Sequence, residues 1–131
     1  MKTILYAIIF LLSVTTVAAF AGQLIDGKEP LICATVEAIS CVRGENCEKG
    51  LAEDLGAPQF MRIDFIKKEV IGPKRASPVL HMETDDALIT LQGFELGMGW
   101  TMAIDRSTGN ASITFASMDE AFVFFGACTK Q

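Results

Sequence analysis

Short runs of alternating apolar and polar residues, separated by turn signals, constrain the fold of this chain more than any other feature. Between Gln59 and Cys128 such runs follow one another closely, with Gly, Pro, Asp or Lys clusters between them. Period-two alternation over a short run is typical of a β-strand with one buried face. Because no helical crossover fits between the runs, the pattern predicts an antiparallel all-β domain.

The alternation also places the individual strands. Residues 43–50 are too polar and glycine-rich for a strand, residues 51–55 predict one or two helical turns ending at Gly56, and residues 93–97 predict a connection. The predicted strands are Leu31–Val42, Gln59–Phe65, Glu69–Ile71, Val79–Thr84, Ala87–Gln92, Met98–Asp105, Ala111–Phe115 and Ala121–Cys128.

About eight strands joined by short turns predict a small antiparallel up-and-down β-barrel. Roughly eight is the number at which a sheet can close on itself with side chains or one small ligand inside. A two-sheet β-sandwich is the alternative architecture.

Two face assignments bear on a possible binding site. On the first strand the face carrying Ile32 and Val36 is the more apolar, so we expect it to face the core and Glu37 to face water. If the Glu37 face lined a cavity instead, its carboxylate would anchor a ligand. Trp100 shares a face with Met98 and Met102, which predicts a buried side chain; an exposed indole would make Trp100 a binding aromatic.

Residues 1–21 read as a cleavable secretion signal. Lys2 precedes an apolar run, and the small residues Ala19 and Ala21 predict cleavage after Ala21, with a cut after Ala19 as the alternative. Residues 22–131 then form a single β domain of 110 residues, whose modest core would benefit from cross-links. The sequence therefore predicts a periplasmic or secreted protein.

Four cysteines remain in that domain, and strand geometry ranks their three possible pairings. Cys33 and Cys41 lie on one predicted strand, roughly 26 Å apart if it is extended at about 3.3 Å per residue, so they cannot bond to each other. Closure of a barrel brings the start of the first strand beside the end of the last. We therefore expect structural disulfides Cys33–Cys128 and Cys41–Cys47.

Charge limits the partners. Without Lys2 the chain has 10 Lys and Arg against 16 Asp and Glu, a net charge of about −6. Such a surface repels phosphate backbones and anionic headgroups, so we expect neither nucleic-acid binding nor stable membrane insertion after signal cleavage.

Candidate chemistry is sparse. His81 is the single histidine, and no nucleophile motif accompanies it. Glu83, Asp85 and Asp86 surround a turn without the spacing of a calcium loop. Met98, Trp100 and Met102 are explained by core packing better than by Cu(I) binding. We expect no catalytic residue, no metal site and no cofactor.

Three segments carry a resemblance to a known group of proteins, with Leu31–Cys33 and Arg62–Asp64 as weaker anchors. The segments are Leu91–Trp100, Asp105–Gly109 and Val123–Thr129. In these segments the chain resembles small uncharacterised exported proteins of proteobacteria. The resemblance implies a periplasmic setting and a β fold, and it supplies no activity.

Two functional hypotheses follow. The first is a non-enzymatic exported β-barrel that binds a small ligand or an envelope component. The second is an inhibitor of an exported hydrolase, with residues 43–49, pinned by Cys41 and Cys47, as the inhibitory loop. A cavity would favour the first hypothesis, and a sealed core with a protruding loop would favour the second.

Overall fold

The computed structural model describes residues 22 and 24–131, so the predicted signal peptide, residues 1–21, lies outside the described residues. The described part of the chain is an all-β domain. Its strands are β1 (Leu31–Val42), β2 (Glu48–Leu51), β3 (Phe60–Asp64), β4 (Glu69–Ile71), β5 (Ala76–Thr84), β6 (Leu88–Glu95), β7 (Met98–Asp105), β8 (Asn110–Ala116) and β9 (Glu120–Lys130). Over these residues no helix is long and apolar enough to cross a membrane.

Eight of the strands form a closed antiparallel barrel. From β3 to β9 each strand pairs with the next along the chain, β3 pairs with the first half of β1, and β9 pairs with β1 along its whole length. The barrel is therefore closed by the first and last strands. The predicted up-and-down β-barrel is confirmed.

Strand β2 lies outside this ring, and the prediction that residues 43–50 hold no strand is wrong. The disulfide between Cys41 and Cys47 turns the chain back, and β2 then pairs with the second half of β1 from Glu37 to Ser40. The two strands are joined by hydrogen bonds between backbone groups. Such bonds form whatever the side chains are, so the polar sequence of β2 did not indicate a strand. The helical turns predicted for residues 51–55 are also absent: residues 52–56 form consecutive hydrogen-bonded turns that end at Gly56.

A β-bulge in β1 reverses the predicted facing of its first half. The register with β9 shifts between Thr35 and Glu37, so Val36 is an extra residue. Cys33 lies inside the barrel before the bulge and Ala38 lies inside after it. Cys33 rather than Ile32 therefore faces the interior, and the expected core residue Val36 is 62% exposed.

Both predicted disulfides are confirmed. Cys33 and Cys128 are direct cross-strand partners on β1 and β9, and their sulfur atoms are 2.08 Å apart. The sulfur atoms of Cys41 and Cys47 are 1.98 Å apart. Disulfides persist in oxidising compartments, so the two cross-links indicate a non-reducing environment for this domain.

Alternate residues of the barrel strands face the interior. Trp100 is only 4% exposed, which confirms that it is buried. It shares the inner face of β7 with Met102 and Ile104, and these two face Ile113 and Ala111 across the hairpin to β8. The largest fully buried side chains are Leu31, Ile63, Ile89, Leu91, Met102 and Ile104.

The N-terminal segment covers one end of the barrel, at the β5–β6 and β7–β8 turns. Ile25 is buried there, and its N–H donates to the carbonyl oxygen of Arg106 at 2.9 Å. Arg106 returns a hydrogen bond from Nε to the carbonyl oxygen of Ile25, also at 2.9 Å. In the β7–β8 turn, the hydroxyl of Ser107 and the N–H of Thr108 donate to Asp105 and lower its pKa to about 2. This end of the barrel is closed.

Candidate functional site

A cavity of about 580 Å³ opens at the opposite end of the barrel. Its mouth is formed by the β2–β3 connection (residues 53–58), the β4–β5 connection (residues 72–75) and the β6–β7 turn around Leu96. The volume falls within the range of about 300 to 1,000 Å³ that is typical of small-molecule sites. The barrel is therefore covered by the N-terminal segment at one end and open at the other, and we call its open interior the cup.

Aromatic side chains make one wall of the cup. Phe122 and Phe124 both face inward from β9, with parallel rings whose centroids are 6.1 Å apart. Phe115 of β8 meets Phe124 edge-on, with centroids 5.9 Å apart and an interplanar angle of 75°. Trp100 adds a fourth aromatic surface to the lining. Four rings around one space provide a large apolar contact area.

Flexible apolar side chains complete the interior. The thioethers of Met61, Met98 and Met102 line the cavity, with Leu55, Val70 and Ile113 also among its walls. Methionine is unbranched and polarizable, so it adapts its rotamers to irregular shapes. The cavity therefore suits apolar occupants of more than one shape.

One polar contact stands out inside this apolar wall. Ser77, on the inner face of β5, is 6% exposed and lines the cavity together with Trp100. The indole Nε1–H of Trp100 donates to Ser77 Oγ at 2.9 Å. This hydrogen bond satisfies the buried indole and fixes the orientation of its ring.

In the described part of the chain, the charged side chains among the lining residues lie at the mouth of the cavity. Arg75 Nε and Glu95 Oε1 are 3.5 Å apart, which links the β4–β5 connection to the end of β6. Glu53 accepts a hydrogen bond from the side-chain amide of Gln59. Lys74 stands beside Arg75 and is exposed. Two acidic and two basic side chains lie there, so the charge of the mouth favours neither anionic nor cationic ligands.

The β6–β7 turn places an apolar side chain at the mouth at a conformational cost. Its two central residues, Leu96 and Gly97, have φ of 51° and 83°. Such two-residue hairpin turns favour Asn or Gly at the first of these positions, because a bulky side chain is strained at positive φ. Leu96 is nevertheless 78% exposed and contributes to the cavity lining.

The two candidate ligand residues from the sequence separate in the structure. Trp100 lines the cavity. Glu37 follows the bulge on the outer surface, where its carboxylate lies 2.6 Å from Lys49 Nζ. Residues 43–47 form an exposed loop, and Arg43 lies 2.6 Å from Asp119 in the β8–β9 turn. The structure therefore brings Trp100, and not Glu37, to the site.

The other chemistry-bearing residues lie away from the cavity. His81 is exposed on β5, opposite Gln92 of β6. Asp85 caps the β5–β6 turn: the N–H groups of Leu88 and Ala87 each donate to it at 2.7 Å and hold its pKa below the usual value. No group of three or more His, Cys, Asp or Glu side chains that could hold a metal ion occurs among residues 24–131.

Sequence reasoning did not identify Ser77 as a site residue, because an isolated serine in a strand carries no signal. The signal that could have identified it is the alternation that places Ser77 on the same inner face of β5 as Val79. No family model matches the chain, and neither curated proteins nor solved structures gave a significant match.

Proposed function

We propose that this protein is a non-enzymatic binding protein that holds a small, largely apolar molecule in the cup of its barrel. The observation that carries the proposal is the cavity of about 580 Å³, open at one end and walled by aromatic and methionine side chains. An apolar molecule that enters it leaves water and gains dispersion contacts, each of which favours binding.

The architecture supports this proposal in two ways. Closure of the sheet by β1 and β9, cross-linked through Cys33–Cys128, holds the walls at a fixed separation. A preformed cavity lowers the ordering cost of binding. The exposed Leu96, held at positive φ, gives an arriving apolar molecule a first contact at the mouth. Strained backbone retained at a cavity mouth is a feature of functional sites.

We place this binding function in the periplasm or outside the cell. The two disulfides support an oxidising compartment, and the signal sequence predicted for residues 1–21 supports export. The ligand would then be an apolar molecule of the envelope or the surroundings, carried through water by the barrel.

Titration with the neutral fluorophore N-phenyl-1-naphthylamine tests the proposal. Trp100 is the single tryptophan of the chain and lines the cavity, so energy transfer from it reports a probe bound to the barrel, and two phenylalanine variants then locate that probe. We expect one probe per protein. Ala57→Phe, which enlarges a lining residue, should weaken binding at least tenfold; Ala116→Phe, on the outer face of β8, should not change it.

Equal affinity in both phenylalanine variants would contradict the proposal, because it would locate the probe on the outer surface. Failure of the wild type to bind would contradict it as well. His81→Gln is a further control: this exposed side chain lies outside the cavity lining, and its replacement should leave probe binding unchanged.

A hydrolase inhibitor that presents residues 43–49 is the second candidate function. It is supported by the exposure of residues 43–49, of which 48 and 49 belong to β2, and by the Cys41–Cys47 disulfide that fixes the loop. Replacing residues 43–46 with Gly and Ser should then abolish capture of an exported hydrolase without affecting probe binding in the cavity. Unchanged capture would reject this function.

A further inference from the structure

The hydroxyl of Ser77 has a hydrogen-bonding capacity that the folded chain does not use. A serine hydroxyl can donate one hydrogen bond and accept two. Ser77 Oγ accepts one from the indole of Trp100, and it donates none to any residue in the described part of the chain. Ser77 is a buried residue, only 6% exposed, and it lies on the cavity wall.

A buried donor without an acceptor is unfavourable. A ligand that fills the cavity is therefore bound more tightly if it accepts a hydrogen bond from the Ser77 hydroxyl. Trp100 holds Ser77 Oγ from one side. The hydroxyl hydrogen is therefore available on another side of the oxygen. Thr35, a second hydroxyl of the lining, differs in this respect: its Oγ1 already donates to the carbonyl oxygen of Pro58 at 2.6 Å.

We propose that Ser77 is the polar anchor of the cavity and that the ligand carries a neutral oxygen acceptor, such as a ketone, ester or quinone carbonyl, on a largely apolar body. This inference rests on the proposed binding function. A carboxylate at this depth would lose its hydration in return for one hydrogen bond, which is unfavourable in an apolar wall. A plain hydrocarbon would leave the Ser77 hydroxyl unpaired.

Benzophenone and diphenylmethane form a matched pair of probes, because they share two phenyl rings and differ by one carbonyl oxygen. Their affinities are measured by displacement of N-phenyl-1-naphthylamine, followed through the fluorophore's own emission under direct excitation, so that the assay also serves variants without Trp100. One net hydrogen bond should give the wild type a roughly 3- to 10-fold preference for benzophenone. Thr35→Val, which removes the occupied hydroxyl, should keep the preference.

In Ser77→Ala alone, the indole N–H of Trp100 would lose its acceptor and could donate to the ligand instead. The Ser77 hydroxyl is therefore removed in a Trp100→Phe background. Trp100→Phe should retain the preference, whereas the double variant Ser77→Ala with Trp100→Phe should bind both probes equally. Comparison of these two variants isolates the Ser77 hydroxyl. Circular dichroism establishes that each variant is folded, and the wild-type ratio of affinities tests the proposal by itself if one of them is not.

The outcomes separate this inference from the function on which it rests. If both probes bind the wild type equally, Ser77 is not an anchor, but the cavity still binds apolar molecules. If the preference persists in the double variant, another group supplies the hydrogen bond and the assignment to Ser77 is wrong. If neither probe displaces the fluorophore from the wild type, both proposals fall.

Discussion

Gly93 provides a sensitive test of how the indole of Trp100 is held. Gly93 of β6 is the direct cross-strand partner of Trp100 on β7, and the ring lies across the space that a side chain at position 93 would occupy. An alanine Cβ there would overlap two ring atoms of Trp100 and lie 2.7 Å from the carbonyl oxygen of Pro78. Gly93→Ala should therefore push the ring away from Ser77.

The expected cost follows from three opposing terms. Overpacking of a filled interior costs about 1 to 3 kcal/mol. Loss of the Trp100–Ser77 hydrogen bond adds about 0.5 to 1.5 kcal/mol. Replacement of glycine by alanine restricts the unfolded chain and returns about 0.4 to 1 kcal/mol. The free energy of unfolding should thus fall by about 0.5 to 4 kcal/mol, which lowers the melting temperature of a domain of this size by roughly 2 to 20 °C.

Thermal unfolding followed by far-ultraviolet circular dichroism measures this change, and the emission maximum of Trp100 reports the displacement of the ring. Gly99→Ala is the matched control, because a Cβ at Gly99 of β7 would meet no atom within 4 Å. It should change the melting temperature by only a few degrees. An unchanged melting temperature and emission maximum in Gly93→Ala would refute the packing argument.

Two further predictions concern stability. Replacing Cys33 and Cys128 with alanine should lower the free energy of unfolding more than replacing Cys41 and Cys47, because the first pair closes a separation of 95 residues and the second a separation of 6; denaturant titration measures both, and the reverse order would contradict the chain-entropy argument. Hydrogen bonds in the β7–β8 turn hold the pKa of Asp105 at about 2, below its unfolded value of about 3.9, so stability should be lost as the pH falls from about 4 to about 2. Asp105→Asn should make that decline shallower, and an identical pH profile would show that this carboxylate does not contribute to it.

Much of the fold could be predicted because, in a regular strand, the alternation of apolar and polar residues shows which side chains face the interior. On β7 the side chains of Trp100, Met102 and Ile104 all face the interior, as the alternation requires. On β1 the alternation is right for Ala38, after the bulge, and wrong for Ile32, before it, because periodicity does not reveal the extra residue Val36. Strand β2 was missed since its pairing depends on a disulfide and on backbone hydrogen bonds.

The candidate site was less predictable than the fold. That Trp100 is buried followed from its neighbours, but the existence of a cavity depends on the distance between opposite walls, which no sequence pattern encodes. The role of Ser77 depends on a partner 23 residues away on another strand, and on the direction of one hydroxyl. Glu37 was expected to face water, with a cavity-lining carboxylate as the alternative, and it does lie on the outer surface beside Lys49.

The pairing of β1 with β9 has a consequence for the order of folding. While the chain is being made, β1 has β2 and β3 as neighbours but lacks its longest partner until the last strand arrives. Cys41 and Cys47 can meet early, whereas Cys33 must wait for Cys128. Contacts of such long range make folding slow, and a chain that lacks β9 would leave the apolar interior open to water.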